Sequence, residues 1–270
     1  MSHHIVDFID IYFTYPDGKQ AVNGITCRIN HGESVGIVGA NGAGKSSLLM
    51  LLTGILLPAK GEIRVGETPV TKKTLSVIRQ KIGFSFQDPD DQLFMTTVYD
   101  DVAFGPRNYG IDEPEVKKRV MKALETVGAV HLKDRAPYKL SGGEKRAAAI
   151  AAVLSLEPDI LVMDEPTAAL DPKARRRLIN LLKGFLHTKI IATHDLDMVL
   201  ETCERTIVLK EGRVVCDGLS PEILADEELL EQCGLEKPLA LQNCPVCGSR
   251  KLSVDKSGIK VTGGSQAKKE

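Results

Sequence analysis

Apolar positions along the chain come in short runs bounded by Gly, Pro and Asp, and their spacing alternates between strand-like and helix-like. Ile5–Tyr15 is rich in β-branched and aromatic residues, Pro16-Asp17-Gly18 reads as a turn, and Ala21–Asn30 resumes the extended pattern. Ser34–Val38 is a short apolar strand that runs into a Gly-rich loop, Gly39–Gly44, and a helix is expected over Ser46–Leu52, which has no breaker before Gly54. Strands are predicted again at Ile82–Phe86, Asp159–Met163 and Lys189–Thr193. Between them Pro114–Val127 reads as an amphipathic helix, with Pro in its first turn and Gly128 just past its end. Ser141 looks like the N-cap of an Ala-rich helix reaching Leu156, Pro172–Leu186 is another helix, and one more starts from Asp195. Thr206–Lys210 and Arg213–Cys216 close as a hairpin around Glu211-Gly212.

This alternation predicts an α/β fold with a largely parallel sheet and helices on its faces. The stretch from about residue 88 to 157 holds helices with little strand between them, which predicts a helical subdomain inserted into the α/β core. After Leu235 the composition shifts to Pro, Lys, Gly and Ser, so residues 1–235 are expected to form the domain and 236–270 a flexible tail.

Composition narrows the function classes. Apolar residues at 43% and charged residues at 26% are ordinary for a soluble globular protein, and the net charge of -1 gives no basic field for nucleic acid. No apolar run approaches the ~20 residues that span a bilayer, and Met1-Ser2-His3-His4 lacks the basic and apolar regions of a signal peptide. Six scattered cysteines point to a reducing cytosol; only Cys244 and Cys247 form a CxxC pair, which resembles one half of a zinc knuckle. The chain has no second pair, and inert or redox-labile thiols on a flexible tail are the expected reading.

Three motifs carry chemistry. Gly39-Ala40-Asn41-Gly42-Ala43-Gly44-Lys45-Ser46 fits the phosphate-binding loop, in which glycines let backbone N–H groups curl around phosphates and the helix N-terminus adds its dipole. Lys45 is placed to reach the β- and γ-phosphates and Ser46 to ligate Mg²⁺, with Ser47 next in the same helix. Asp164 and Glu165 follow an apolar strand, at the edge where open α/β sheets bind ligands. Asp164 suits a water-mediated hold on Mg²⁺, and Glu165 suits activation of the attacking water. Leu140-Ser141-Gly142-Gly143-Glu144 offers a second anion site at a helix start, which an ordinary N-cap would also explain.

With that last motif the chain resembles the ABC ATPases, over about residues 5–235. The resemblance implies a P-loop NTPase fold of the ABC nucleotide-binding type, with an antiparallel β layer and a helical subdomain. It implies ATP and Mg²⁺ as ligands. Gln87 matches the Q-loop glutamine, Asp171 the D-loop aspartate and His194 the switch histidine, while Ser141, Gly142, Gly143 and Glu144 face the ATP of a partner subunit. Tyr15 matches the aromatic that stacks on adenine, with Tyr12 and Phe13 as alternatives. In the D-loop, Ala168-Ala169 stands where many relatives carry Ser or Gly.

A narrower likeness lies in Phe86–Phe94 and in Asp101-Val102-Ala103-Phe104-Gly105-Pro106, which resemble the energy-coupling-factor branch, above all the CbiO-type ATPases of cobalt and nickel uptake. It implies a head-to-tail homodimer on the cytoplasmic face of the membrane, bound to an integral coupling subunit and a substrate-binding membrane subunit, with no nucleic-acid partner. Leu93, Phe94, Val98, Val102 and Phe104 are expected to form the groove for a coupling helix, or else the core of the helical subdomain. The alternatives are the same motor in a vitamin importer, or a soluble ABC ATPase of iron–sulfur assembly.

Overall fold

The computed structural model describes residues 6–242 and the backbone of two short antiparallel strands, Ser253–Asp255 and Gly258–Lys260. Strands β1 (Val6–Thr14) and β2 (Gln20–Ile29) form the first hairpin. Strand β3 (Ser34–Val38) leads through the glycine loop into helix α1 (Lys45–Leu52). Then come β4 (Lys60–Val65), β5 (Thr68–Pro69), α2 (Leu75–Lys81) and β6 (Ile82–Ser85). Helices α3 (Val98–Asn108), α4 (Glu113–Val127) and α5 (Gly142–Leu154) follow. The last third alternates: β7 (Ile160–Asp164), α6 (Pro172–Gly184), β8 (Thr188–Ala192), α7 (Leu196–Thr202), β9 (Arg205–Lys210), β10 (Arg213–Leu219), α8 (Ser220–Ile223) and α9 (Glu227–Gln232).

Two sheets result. One is antiparallel in the order β2-β1-β4-β5; the other runs β10-β9-β3-β8-β7-β6. In the second, β9, β3, β8, β7 and β6 are mutually parallel and β10 is an antiparallel edge. Every residue of β3, β7 and β8 is buried, as expected for parallel strands covered on both faces. Toward the first sheet, Val35, Ile37, Ile160 and Val162 pack with Leu48 and Leu52 of α1. Toward the other side, Leu161, Met163 and Ile191 pack with Leu178, Leu182 and Val199 of α6 and α7.

Helices α3, α4 and α5 build a separate core around Val98, Val102, Val120, Leu124, Ala148 and Ala151, which is the helical subdomain expected from the sequence. Thr97 caps α3 by accepting from Asp100 N–H, and the Ala-rich face of α5 lets its neighbours approach closely.

The register places the functional ends together. Asp164 lies opposite Ala192, and Ile37 near the end of β3 is also opposite Ala192, so the glycine loop, Asp164-Glu165, His194 and Gln87 all leave the sheet at one edge. Differences from the sequence reading are local. Strands β4 and β5 and helix α2 occupy a stretch for which no element was expected. Helix α6 stops at Gly184, because Phe185 turns extended. Residues 236–242 stay attached, with Leu239 and Ala240 N–H donating to the Asp197 carboxylate at 3.1 and 2.9 Å. The Cys244–Cys247 pair lies outside the described residues.

Candidate functional site

The glycine loop is held against both sheets. A Cβ on Gly44 would sit 2.3 Å from the Ala21 carbonyl oxygen of β2, and one on Gly39 would sit 2.3 Å from the Leu209 carbonyl oxygen of β9. Gly44 also takes φ 101°, a left-handed conformation that disfavours any side chain. It precedes α1 with no side-chain cap, so the first-turn N–H groups face the hollow of the loop. Lys45 is buried, donates to Gly39 O at 2.8 Å and Ala40 O at 3.3 Å, and lies 3.8 Å from Glu165 Oε1.

A pocket of about 240 Å³ opens there, with Tyr15 and residues 41–47 on one side and Gln87 and Glu165 on the other. Tyr15 bonds Ser47 Oγ through its hydroxyl at 3.0 Å and stacks edge-on with Phe13 at 4.9 Å. Of the three candidate aromatics only Tyr15 lines this pocket. Tyr12 instead lies under the Lys60 ammonium at 4.8 Å, and Phe13 packs on the core between the sheets.

The two acids differ in environment. Asp164 is 2% exposed, and its Oδ1 has no hydrogen-bond partner. Burial pushes its carboxyl above the usual carboxylate range, against the pull of a hydrogen bond from Ser46. Glu165 takes φ 44°, left-handed backbone that a non-glycine residue adopts at a cost of about 1–3 kcal/mol. What holds it there is a set of donors. Its N–H bonds Ala192 O at 2.8 Å, and Oε2 accepts from Thr193 Oγ1 at 2.9 Å and from His194 N–H at 3.3 Å, with His194 Nδ1 at 2.9 Å. Oε1 is left toward Lys45 and the pocket.

Ser141 and Glu144 form a reciprocal capping box on α5, so the N-cap reading of the motif holds. Ser141 N–H donates to Glu144 Oε2 at 2.8 Å, and Arg135 reaches Oε1 at 3.3 Å. Asp171 caps α6 by accepting from Lys173 and Ala174 N–H at 2.8 and 2.9 Å. Ala169, just before it, takes φ 60°, the conformation for which Gly would be the easier residue. Residues 141–144 and Asp171 share a cavity of about 440 Å³ that no residue of the glycine loop lines. Within one chain the structure therefore does not bring Ser141 to Lys45. Ser46, Gln87 and Asp164 border a third cavity, of about 640 Å³, whose far wall includes Gly142.

Two contacts escaped the sequence reading. Arg146, buried in α5, donates to the carbonyls of Phe86 and Gln87. Arg175 grips Asp195 with two 2.8 Å bonds, joining α6 to the residue after His194. Burial works against the Asp195 carboxylate, yet Arg175, the Met198 N–H and Thr167 together outweigh it and keep the group below its usual range. Neither pair has a signal in local spacing, since the partners lie far apart in the chain.

The expected groove divides. Leu93, Val98 and Val102 are buried in the helical core, the second of the two places expected for them. Phe94 and Phe104 are 65% and 43% exposed and stack edge-on at 4.9 Å.

Among known proteins, residues 22–168 match the ABC transporter family model. A putative ABC transporter ATP-binding protein of Geobacter sulfurreducens is 61% identical over 248 residues, covering 92% of this chain and 100% of the relative. The energy-coupling factor transporter ATP-binding protein EcfA of Methanothermobacter thermautotrophicus is 44% identical over 239 residues, 87% of this chain and 77% of the relative. The solved structure of cbiO1 from Clostridium perfringens, part of the ABC transporter complex cbiONQ, superposes with a TM-score of 0.74 at 42% identity, covering 85% of this chain and 94% of that one. The chain is an ATP-hydrolysing member of the ABC transporter family, of the energy-coupling-factor type.

Proposed function

We propose that this chain is the motor of an importer of cobalt or nickel ions, a peripheral subunit on the cytoplasmic face of the membrane that hydrolyses ATP as a head-to-tail homodimer. The observation that carries the catalytic part is the clasp on Glu165. Three groups from Thr193 and His194 hold one carboxylate oxygen, and the other is turned to the phosphate pocket.

Lys45, now on the loop carbonyls, exchanges them for the β- and γ-phosphates, while the N–H groups of residues 41–46 close around the same oxygens. Tyr15 offers its ring to the base. The unpartnered Oδ1 of Asp164 and the Ser46 hydroxyl beside it are hard oxygen donors that suit Mg²⁺, with Gln87 at the rim. Among the described residues no cluster of three or more His, Cys, Asp or Glu is placed to hold a metal, so Asp164 and Ser46 would hold Mg²⁺ together with the nucleotide. When bound, Mg²⁺ neutralises charge on the β- and γ-oxygens. Glu165 takes a proton from the attacking water as its oxygen bonds the γ-phosphorus and the bond to the β-bridging oxygen breaks, releasing ADP and phosphate.

The dimer is supported by the separation of the two anion sites. No residue of the Ser141 loop lines the glycine-loop pocket, and the Ser141 loop borders a cavity that no residue of the glycine loop lines. Pairing head to tail gives each what the other chain lacks. No helix among the described residues is long and apolar enough to cross a membrane, so transport needs a membrane partner. Phe94 and Phe104 are the exposed aromatic pair that suits its coupling helix. The ion is proposed from the resemblance of residues 86–94 and 101–106 to the ATPases of cobalt and nickel uptake. Uptake of labelled cobalt and nickel by cells carrying the chain with its membrane partners, against the same cells with Glu165→Gln, tests the whole reading. Metal uptake that survives the substitution ends it, and uptake of a vitamin instead reassigns the cargo.

A further inference from the structure

Arg146 sits on α5, the helix that starts at the Ser141 cap, and it is 2% exposed. Its side chain crosses to the segment that leaves β6, donating from Nη1 to Phe86 O at 2.6 Å and from Nη2 to Gln87 O. A guanidinium stays charged in proteins, and burying one without a hydrogen-bonded carboxylate is costly. Its Nε has no partner at all. Burial works against the charge, which Asp88, Asp164 and Glu165 offset only in part through space. Two further ties run between the same elements. Lys145 Nζ reaches both carboxylate oxygens of Asp90, at 2.6 and 2.8 Å, and Gln92 Nε2 donates to Ala149 O at 2.7 Å. The segment after β6 is thus fastened to α5, with one N–H of Arg146 on the carbonyl of Phe86 and another on that of Gln87.

We propose that Arg146 is a positioning residue that fixes Gln87 beside its own phosphate pocket. The inference rests on the reading of Gln87 as a group that orients the hydrolytic water and Mg²⁺.

A double-mutant cycle in the full-length protein tests it, with turnover normalised to the number of sites that bind nucleotide. Arg146→Met and Gln87→Ala should each lower kcat by about tenfold or more while leaving KM for ATP within about twofold, and the double variant should be no slower than the slower single one. Arg146→Lys, which keeps a donor for one carbonyl, should recover part of the rate. Should Arg146→Met fail to fold, Arg146→Lys takes its place in the cycle. Effects that multiply in the double variant would show that Arg146 supports the fold without acting through Gln87, and would overturn the inference. So would full activity of Arg146→Met alongside a slow Gln87→Ala. A fully active Gln87→Ala would instead reject the role given to Gln87.

Discussion

His194 Nδ1 lies 2.9 Å from Glu165 Oε2, and the same oxygen accepts from the Thr193 hydroxyl, so one strand end both supplies the histidine and clamps the acid. The clamp leaves Glu165 a single free oxygen and a fixed direction. Replacing the carboxylate by an amide keeps the size and loses the base. Glu165→Gln should therefore keep ATP affinity within about threefold and lower kcat by about 10² or more. It should also accumulate as an ATP-dependent dimer. Nucleotide binding, steady-state turnover and gel filtration with and without ATP check the three outcomes separately.

Lys45 and Ser141 line different cavities of one chain, which makes a mixing experiment decisive for the shared site. Lys45→Ala should weaken ATP binding by about 10²-fold, the loss of a charge-assisted contact to phosphate. Ser141→Arg should fill the second anion site. Each chain alone should be inactive, and their mixture should regain turnover from the mixed dimers that hold one intact site. Mixed dimers with no turnover, and no ATP-dependent dimer of Glu165→Gln, would reject head-to-tail pairing.

Asp164 trades stability for its task. Its carboxyl is pushed up by burial, so the folded state binds its proton more tightly than the unfolded state does. The sign follows: this group favours folding at acid pH, below the ordinary carboxylate pKa, and the contribution is lost as pH rises through the raised value. At neutral pH in Mg²⁺-free buffer, Asp164→Asn should raise stability by about 1 kcal/mol, or ~2–4 °C in Tm, while abolishing turnover. Thermal melts of both proteins at pH 5 and 7.5 measure it, with the gap between them narrowing at the lower pH.

Phe94 is mostly exposed, and removing it from the surface should leave the fold intact. Phe94→Asp should keep Tm within about 2 °C and basal ATPase within about twofold, since the change is at an exposed position. Membrane association and transport should fall by about tenfold or more. Fractionation of cells expressing the variant with its membrane partners tests this, and unchanged recovery in the membrane fraction would move the dock elsewhere.

The sequence was most readable where a residue type has few jobs. A Gly-rich loop between an apolar strand and a helix has little choice of shape, and the β3–loop–α1 unit forms as its residues dictate. Ser141 and Asp171 were readable as caps for the same reason. Strand β4 was not, because Lys60-Gly61-Glu62 at its start is exposed and polar and its apolar alternation spans only Ile63 and Val65. Arg146 reads in the sequence as one more charge on a helix; only the packing of α5 against β6 turns it inward. The same holds for Leu93, Val98 and Val102, whose apolar character fits a surface groove as well as the core they occupy.

The glycine loop is wedged between the Ala21 carbonyl of one sheet and the Leu209 carbonyl of the other, with no space for a methyl group at either contact. Its curvature is consequently set by the tertiary structure before any anion arrives. Little backbone entropy remains to be lost on binding, so the attraction of its N–H groups for phosphate appears almost undiminished as affinity.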